Sequence, residues 1–206
     1  MSQKEENEEN PDDEIKVILL GDPGVGKTNL INIATGHKFS ENEKTTTFSS
    51  YSVKKFKFNE KEYKINLWDT IGQEKLRPLT KIFYNNSKIV IFVYDITSEE
   101  SFKSLPEWME GVDEQIGSNY IKGLVANKSD LFINEKVSTD EGEEFANNIK
   151  AKFLLFSAKN DNPKKFEEYL IKLLEIYISK GKGENKRTFS IYKNMPEKDN
   201  KNNCCN

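Results

Sequence analysis

Eight residues, Gly21-Asp22-Pro23-Gly24-Val25-Gly26-Lys27-Thr28, follow the spacing G-x-x-x-x-G-K-T. Residue types in that order suit the binding of phosphate groups. Glycines at 21, 24 and 26 let the backbone curl until successive N–H groups converge on one point. The Lys27 ammonium can then reach the β- and γ-phosphates of a nucleotide, and the Thr28 hydroxyl can ligate Mg²⁺. A helix beginning near Lys27 would add the positive end of its dipole. The competing reading is an ordinary glycine turn before a helix, and the loop by itself does not separate ATP from GTP.

Two later stretches bear on the base. Asn127-Lys128-Ser129-Asp130 follows an apolar run at 121–126, and Ser157-Ala158-Lys159 follows another at 152–156. Ligands of open parallel sheets bind at the carboxyl ends of strands. There Asp130 can accept two hydrogen bonds from guanine N1–H and N2–H₂. Adenine offers no such donor pair, so the carboxylate would stay desolvated and unpaired. The stem of Lys128 can lie along the base, Asn127 can tie its loop to the phosphate loop, and the 157–159 backbone can address guanine O6. Each short motif alone reads equally as a surface turn, and their order after the phosphate loop favours guanine. Between the two ends lies Trp68-Asp69-Thr70-Ile71-Gly72-Gln73-Glu74. Asp69 is placed to hold Mg²⁺ through water, the Gly72 N–H to bond a γ-phosphate, and Gln73 to orient an attacking water. A strand ending in a polar turn would account for the acids and the glycine there. His37 is the single histidine, which excludes a histidine-based triad or a multi-histidine metal site.

The elements that must carry these residues alternate. Residues 15–20 form a short apolar run before the phosphate loop, and 28–34 have helical spacing after it. Residues 51–58 and 63–68 read as strands joined at Asn59-Glu60, an antiparallel hairpin. A weak helix is expected around 79–85, a buried strand at 88–94, and one charged helix over 100–116 with Phe102, Leu105, Trp108, Met109 and Val112 on one face. Trp108 and Met109 are read as helix core. Strands at 121–126 and 152–156 and helices at 139–149 and 163–179 complete the series. This predicts an α/β three-layer fold: a six-stranded, mostly parallel sheet with one antiparallel pairing, flanked by about five helices.

Length and charge bound the rest. The chain has 206 residues and a formal net charge of −3, which gives no general pull toward nucleic acid. One nucleotide-binding domain over 14–180 is expected. Residues 1–13 belong to a disordered acidic tail, with Glu5, Glu6, Glu8, Glu9, Asp12 and Asp13 against one Lys4. Residues 181–206 read as a flexible tether with Lys182, Lys186, Arg187 and Lys193. No apolar run is long enough to cross a bilayer, and no signal peptide is read. The two cysteines, Cys204 and Cys205, are adjacent, which makes a poor structural disulfide and too small a set for zinc. A reducing, cytoplasmic setting fits.

Taken together, the four nucleotide motifs over about 14–180 resemble those of the Ras superfamily of small GTPases. The Trp68–Glu74 segment, the run Val93-Tyr94-Asp95-Ile96-Thr97 and the Cys204-Cys205 ending resemble the Rab branch. The resemblance implies a P-loop GTPase fold that binds GTP and GDP with Mg²⁺ and hydrolyses GTP slowly. It makes Thr46, eighteen residues after Thr28, the switch threonine that closes on Mg²⁺ and the γ-phosphate, with Thr45 and Thr47 as neighbouring candidates. It makes Phe39 the aromatic that packs on guanine, although simple core packing accounts for that residue equally. Also implied are a monomer that cycles onto the cytosolic face of intracellular membranes in vesicle traffic, and geranylgeranylation of Cys204 and Cys205. Two lipid chains, or one plus basic residues, hold a membrane where one chain is marginal. Expected partners are an exchange factor, a GTPase-activating protein, a GDP-dissociation inhibitor or escort protein, and effectors. An activating protein that supplies an arginine would accelerate hydrolysis by roughly 10³–10⁵.

Several positions depart from the family pattern. Ile71 stands where alanine is usual and crowds the γ-phosphate corner. Pro23 removes one loop N–H. The segments Thr47-Phe48-Ser49-Ser50-Tyr51 and Lys75-Leu76-Arg77-Pro78-Leu79-Thr80 differ from the usual switch sequences, so effector identity does not carry over. Two rival readings stand beside the hydrolysing switch. One is a guanine-nucleotide binding module that hardly turns over, motivated by Ile71 and Pro23. The other is a phosphate-loop ATPase.

Overall fold

The apolar run behind the acidic N-terminal stretch becomes the central strand of the sheet. In β1 (Glu14–Leu20), side chains alternate between faces: Ile15, Val17 and Leu19 enter one core layer, Ile18 and Leu20 the other. The computed structural model describes residues 14–41, 50–58, 61–70 and 83–192, of which 50 and 182–192 by backbone alone. The elements after β1 are α1 (Lys27–Ala34), β2 (Ser50–Phe58), β3 (Lys61–Asp69), β4 (Ile89–Asp95), α2 (Glu99–Lys103), α3 (Leu105–Ile116), β5 (Ile121–Asn127), a 3₁₀ segment (Ser129–Asn134), α4 (Thr139–Asn148), β6 (Lys152–Leu155) and α5 (Pro163–Tyr192). The strand order is β2-β3-β1-β4-β5-β6. β2 and β3 pair antiparallel, and every other pairing is parallel. This is the α/β sheet of six strands expected above.

Both faces are covered. On one side α1 and α5 bring Leu30, Ile31, Phe166, Leu170 and Leu173 against Ile15, Val17 and Leu19. On the other, α3 and α4 bring Leu105, Trp108, Val112 and Ala146 against Val90, Phe92 and Tyr94. All of β4 is buried, which explains its unbroken apolar sequence.

Two elements differ from the sequence-based expectation. The single helix expected over 100–116 is two. Ser98 caps α2 by accepting from the Ser101 N–H, and α3 begins afresh at Leu105 with proline in its first turn. Pro106 has no N–H to continue the ladder, so it suits a helix start and not an interior. Helix α4 begins at Thr139 as expected, capped by a reciprocal box of Ser138 and Glu141. Helix α5 runs on to Tyr192, into the stretch read as tether. That stretch carries Lys182, Glu184, Lys186 and Arg187, straight-chain residues that lose little freedom in a helix, beside Gly181 and Gly183, which disfavour one. The weak helix around 79–85 lies mostly outside the described residues, which show helix at 83–84.

Close packing of α4 on the sheet yields a test. A Cβ added at Gly142 would stand 2.3 Å from Tyr94 Oη and 2.9 Å from Phe153 Cε2. Alanine is the better helix former, yet Gly142→Ala should destabilise by about 1–3 kcal/mol through overpacking. Thermal unfolding should show a fall of several degrees, and adding Tyr94→Phe should recover part of it. Tyr94→Phe alone should cost little, since that hydroxyl is buried without a hydrogen-bond partner among the described residues.

Candidate functional site

Parallel register brings the polar ends of four strands to one edge of the sheet. Leu19 pairs with Asp69 across β1 and β3, and Asp95 pairs with Asn127 across β4 and β5. β6 ends two residues before Ser157. Above this edge opens a cavity of about 380 Å³. Pro23, Gly24, Gly26, Lys27 and Thr28 line one end. Lys128, Asp130, Ala158 and Lys159 line the other, with Asn127 between them and Phe39 on the side.

At the first end the loop wraps a lysine. Lys27 Nζ donates to the carbonyls of Gly21 at 2.7 Å and Asp22 at 2.8 Å. The residue is 6 % exposed. Burial pushes its ammonium down to about 8, against the raising influence of Asp69 and Asp22. Backbone shape here requires glycine. Gly21 has φ +148°, and a Cβ there would stand 2.1 Å from the Val93 carbonyl oxygen. Gly26 has φ +99°, and its Cβ would stand 2.3 Å from Asn127 Nδ2. Thr28 Oγ1 donates to Asp69 Oδ2 at 2.8 Å, so a hydroxyl and a carboxylate from separate elements meet beside the loop. Next to them Thr70 Oγ1 donates to the Leu19 carbonyl at 2.5 Å, holding the end of β3 against β1.

The second end is built around one amide. Asn127 Nδ2 donates to the Val25 carbonyl at 2.8 Å, and Asn127 Oδ1 accepts from the Ala158 N–H at 3.1 Å. Asn127 is 1 % exposed, so both bonds form away from water. Asp130 Oδ1 accepts from Ser157 Oγ at 2.5 Å. Lys128, in the left-handed region at φ 64°, places Nζ 2.6 Å from Asp95 Oδ2. Asp95 is itself fixed, because its Oδ1 accepts from the Thr97 N–H and Oγ1 at 2.8 Å each.

The residues singled out from the sequence therefore do not all face the cavity. Gly21, Val25 and Ser157 stand behind its lining, and Phe39 does both things open to it: it lines the cavity and packs half-buried against the core. Asp22 turns its carboxylate away from the cavity. Its Oδ1 accepts from Trp108 Nε1 and its Oδ2 from Ser104 Oγ, each at 2.8 Å. Trp108 is thus core by burial, 1 % exposed, and also a polar strut between α3 and the phosphate loop. Burial of a tryptophan calls for a partner for its N–H, a signal that periodicity does not carry. Two further residues give no signal in the sequence. Asn29 Nδ2 donates to the Ser40 carbonyl and its Oδ1 accepts from the Ser40 N–H, both at 2.9 Å. Glu41 ion-pairs with Lys159. Thr46, Ile71, Gly72, Gln73, Cys204 and Cys205 lie outside the described residues.

The description "Ras family" belongs to a family model that matches residues 16–177. Over 149 residues the chain is 38 % identical to Ras-related protein RabC of Dictyostelium discoideum, covering 71 % of this chain and 76 % of that one. It is 37 % identical to human Ras-related protein Rab-30 over 151 residues, 73 % and 74 % of the two chains. Mouse Ras-related protein Rab-12 is 33 % identical over 169 residues, 82 % and 69 %.

The strut from α3 can be tested without emptying the core. Trp108→Phe keeps a ring in place but deprives Asp22 Oδ1 of the indole hydrogen bond. Loss of one partner from a partly buried charge costs about 1.5–3 kcal/mol. Hydrogen–deuterium exchange should show faster exchange of the loop amides at 21–28, and Asp22→Asn in the Trp108→Phe background should give back part of the lost stability.

Proposed function

This chain belongs to the Ras family, as a Rab-like small GTPase that binds GTP and GDP and hydrolyses GTP, and we propose that it works as a membrane-attached switch in vesicle traffic. The observation that carries the site assignment is one cavity with a lysine-bearing glycine loop at one end and Asp130 at the other. In this reading the phosphates lie over residues 21–28. Lys27 exchanges the Gly21 and Asp22 carbonyls for β- and γ-phosphate oxygens. Guanine lies between Phe39 and the Lys128 stem, which the Asp95 ion pair holds in position. Asp130 takes the N1–H and N2–H₂ donors, while the 157–159 backbone addresses O6.

The donor set beside the loop fits Mg²⁺. Thr28 Oγ1 and Asp69 are hard oxygen donors that the fold already holds together. With Thr46 they would hold the ion, Asp69 through water; bound there, Mg²⁺ neutralises charge on the β- and γ-phosphates. Gln73 orients water for attack on the γ-phosphorus. The bond from that phosphorus to the bridging oxygen breaks, and GDP retains the oxygen. Thr46 and Gly72 lose their γ-phosphate contacts and the switch segments relax. Beside those segments, Tyr51 stacks on Trp68 at 5.0 Å and Trp68 meets Phe83 at 6.0 Å. Tyr51 is 57 % exposed, so this aromatic row offers effectors a surface. An exchange factor would open the cavity, and an activating protein would speed hydrolysis. Lipid on Cys204 and Cys205 would attach the protein to membranes, with a GDP-dissociation inhibitor or escort protein carrying it between them. Among the described residues no helix is long and apolar enough to cross a membrane.

Displacement of fluorescent GDP and release of phosphate test the reading together. GTP and GDP should compete and ATP should not, and Asp130→Asn should weaken guanine binding by about 10²-fold or more. Gln73→Leu should abolish phosphate release at unchanged affinity. Tight binding with no release by the wild-type chain would favour the binding module instead.

The buried ammonium gives a second expectation. Folding lowers Lys27 to about 8, from 10.5. Between those values the unfolded chain holds the extra proton, so the charged lysine costs the folded protein stability below about 8 and that cost fades as pH rises to 10.5. Bound phosphates favour the charged form. Nucleotide binding should therefore take up a proton above pH 8, seen by calorimetry in buffers of different ionisation enthalpy, and affinity should fall as pH rises.

A further inference from the structure

The mouth of the cavity is bridged. Lys159 Nζ lies 2.5 Å from Glu41 Oε1, joining residues 118 apart in the chain. Both side chains line the cavity, Lys159 at its base-facing end and Glu41 on the loop after α1. Both are well exposed, 48 % and 68 % at the side chain, so the pair spans the opening and not its floor.

Exposed ion pairs are usually weak because two long side chains must be ordered. Here the loop is ordered already. The Asn29 amide grips Ser40 through its N–H and its carbonyl, one residue before Glu41. Phe39, one residue earlier, is seated against the core. On the opposite bank, Ala158 is held by Asn127, and the Ser157 hydroxyl accepts from the Asn160 N–H. Each bank is therefore fixed by its own buried or half-buried bonds, and the two meet through one exposed contact. The contact is reinforced on one side: Glu41 and the nearby Asp130 both favour the charged form of Lys159.

We propose that Glu41 and Lys159 form an electrostatic latch across the nucleotide cavity, so that opening the pair gates both entry and exit of guanine nucleotide. The proposal rests on the reading of this cavity as the nucleotide site and names how exchange there is controlled. Asn29 is a positioning residue for the latch: it holds the Glu41 bank. An exchange factor need only offer Lys159 another carboxylate, or Glu41 another cation, to open the mouth without touching the phosphate loop.

A gate has a kinetic signature that a binding contact lacks. It slows association and dissociation together and leaves their ratio alone. Full-length protein and fluorescent GDP, mixed in stopped flow and then chased with unlabelled GDP, give both rates. Glu41→Gln should raise both about two- to fivefold, with the equilibrium affinity unchanged. Glu41→Lys should raise them further. Salt should mimic the substitution: raising ionic strength from about 0.05 to 0.5 M should speed both wild-type rates and leave those of Glu41→Gln nearly flat. Asn29→Ala, which frees the bank without removing either charge, should show part of the effect and weaken the salt dependence. Rates unmoved by Glu41→Gln in a protein that binds GDP would overturn the latch alone. Faster dissociation with unchanged association would overturn it too, since Glu41 would then be a ligand contact. Failure to bind GDP at all would overturn the nucleotide reading and the latch with it.

Discussion

A lysine ammonium buried under a glycine loop is the constraint on which the rest of this molecule depends. Lys27 is almost fully enclosed, and its charge is unfavourable there, as its lowered proton affinity indicates. Two loop carbonyls and two carboxylates, Asp69 and Asp22, offset that cost.

Holding that arrangement takes contacts from across the sheet. Asp69 reaches the loop because β3 lies parallel beside β1, in register at Leu19. Asn127 reaches it from the end of β5, and its bond to the Val25 carbonyl fills the space that a side chain on Gly26 would need. Asp22 is drawn the other way, toward Ser104 and Trp108 at the head of α3. The loop is therefore tied on one side to Asn127 at the end of β5 and on the other to a helix on the sheet's flank. A buried indole joins the loop to α3, and a buried amide joins it to the end of β5.

Much of the site was legible as spacing. The glycine loop, the 127–130 segment and the 157–159 segment each come directly after a strand, and parallel strands deliver their trailing loops to a common edge. Apolar alternation in 63–67 and the unbroken run at 89–93 marked the half-buried and fully buried strands. Less legible was polar work done by residues of apolar pattern. Trp108 sits on the apolar face of its helix and reads as core, which it is, while its N–H serves Asp22. Glu41 sits in a polar stretch where one more acid carries no signal, and Asp22 belongs to the loop motif but points out of it. The split between α2 and α3 was present in the sequence as Pro106, outweighed by the apolar stripe running through it.

The sequence by itself determined the features that act over a few residues: the curl at Gly21, Gly24 and Gly26, the box at Ser138 and Glu141, the restart of the helix at Pro106. Propensity, capping and dihedral preference are local, and they hold wherever the chain goes. Tertiary structure alone decided which carboxylate faces which cation. Lys128 meets Asp95, Lys159 meets Glu41, and Asp22 faces Trp108 instead of the cavity, because strand order and helix packing place those partners within reach. Pairings between residues dozens of positions apart depend on register and on close packing of α3 on the sheet. Neither leaves a mark in the spacing of the residues that end up touching.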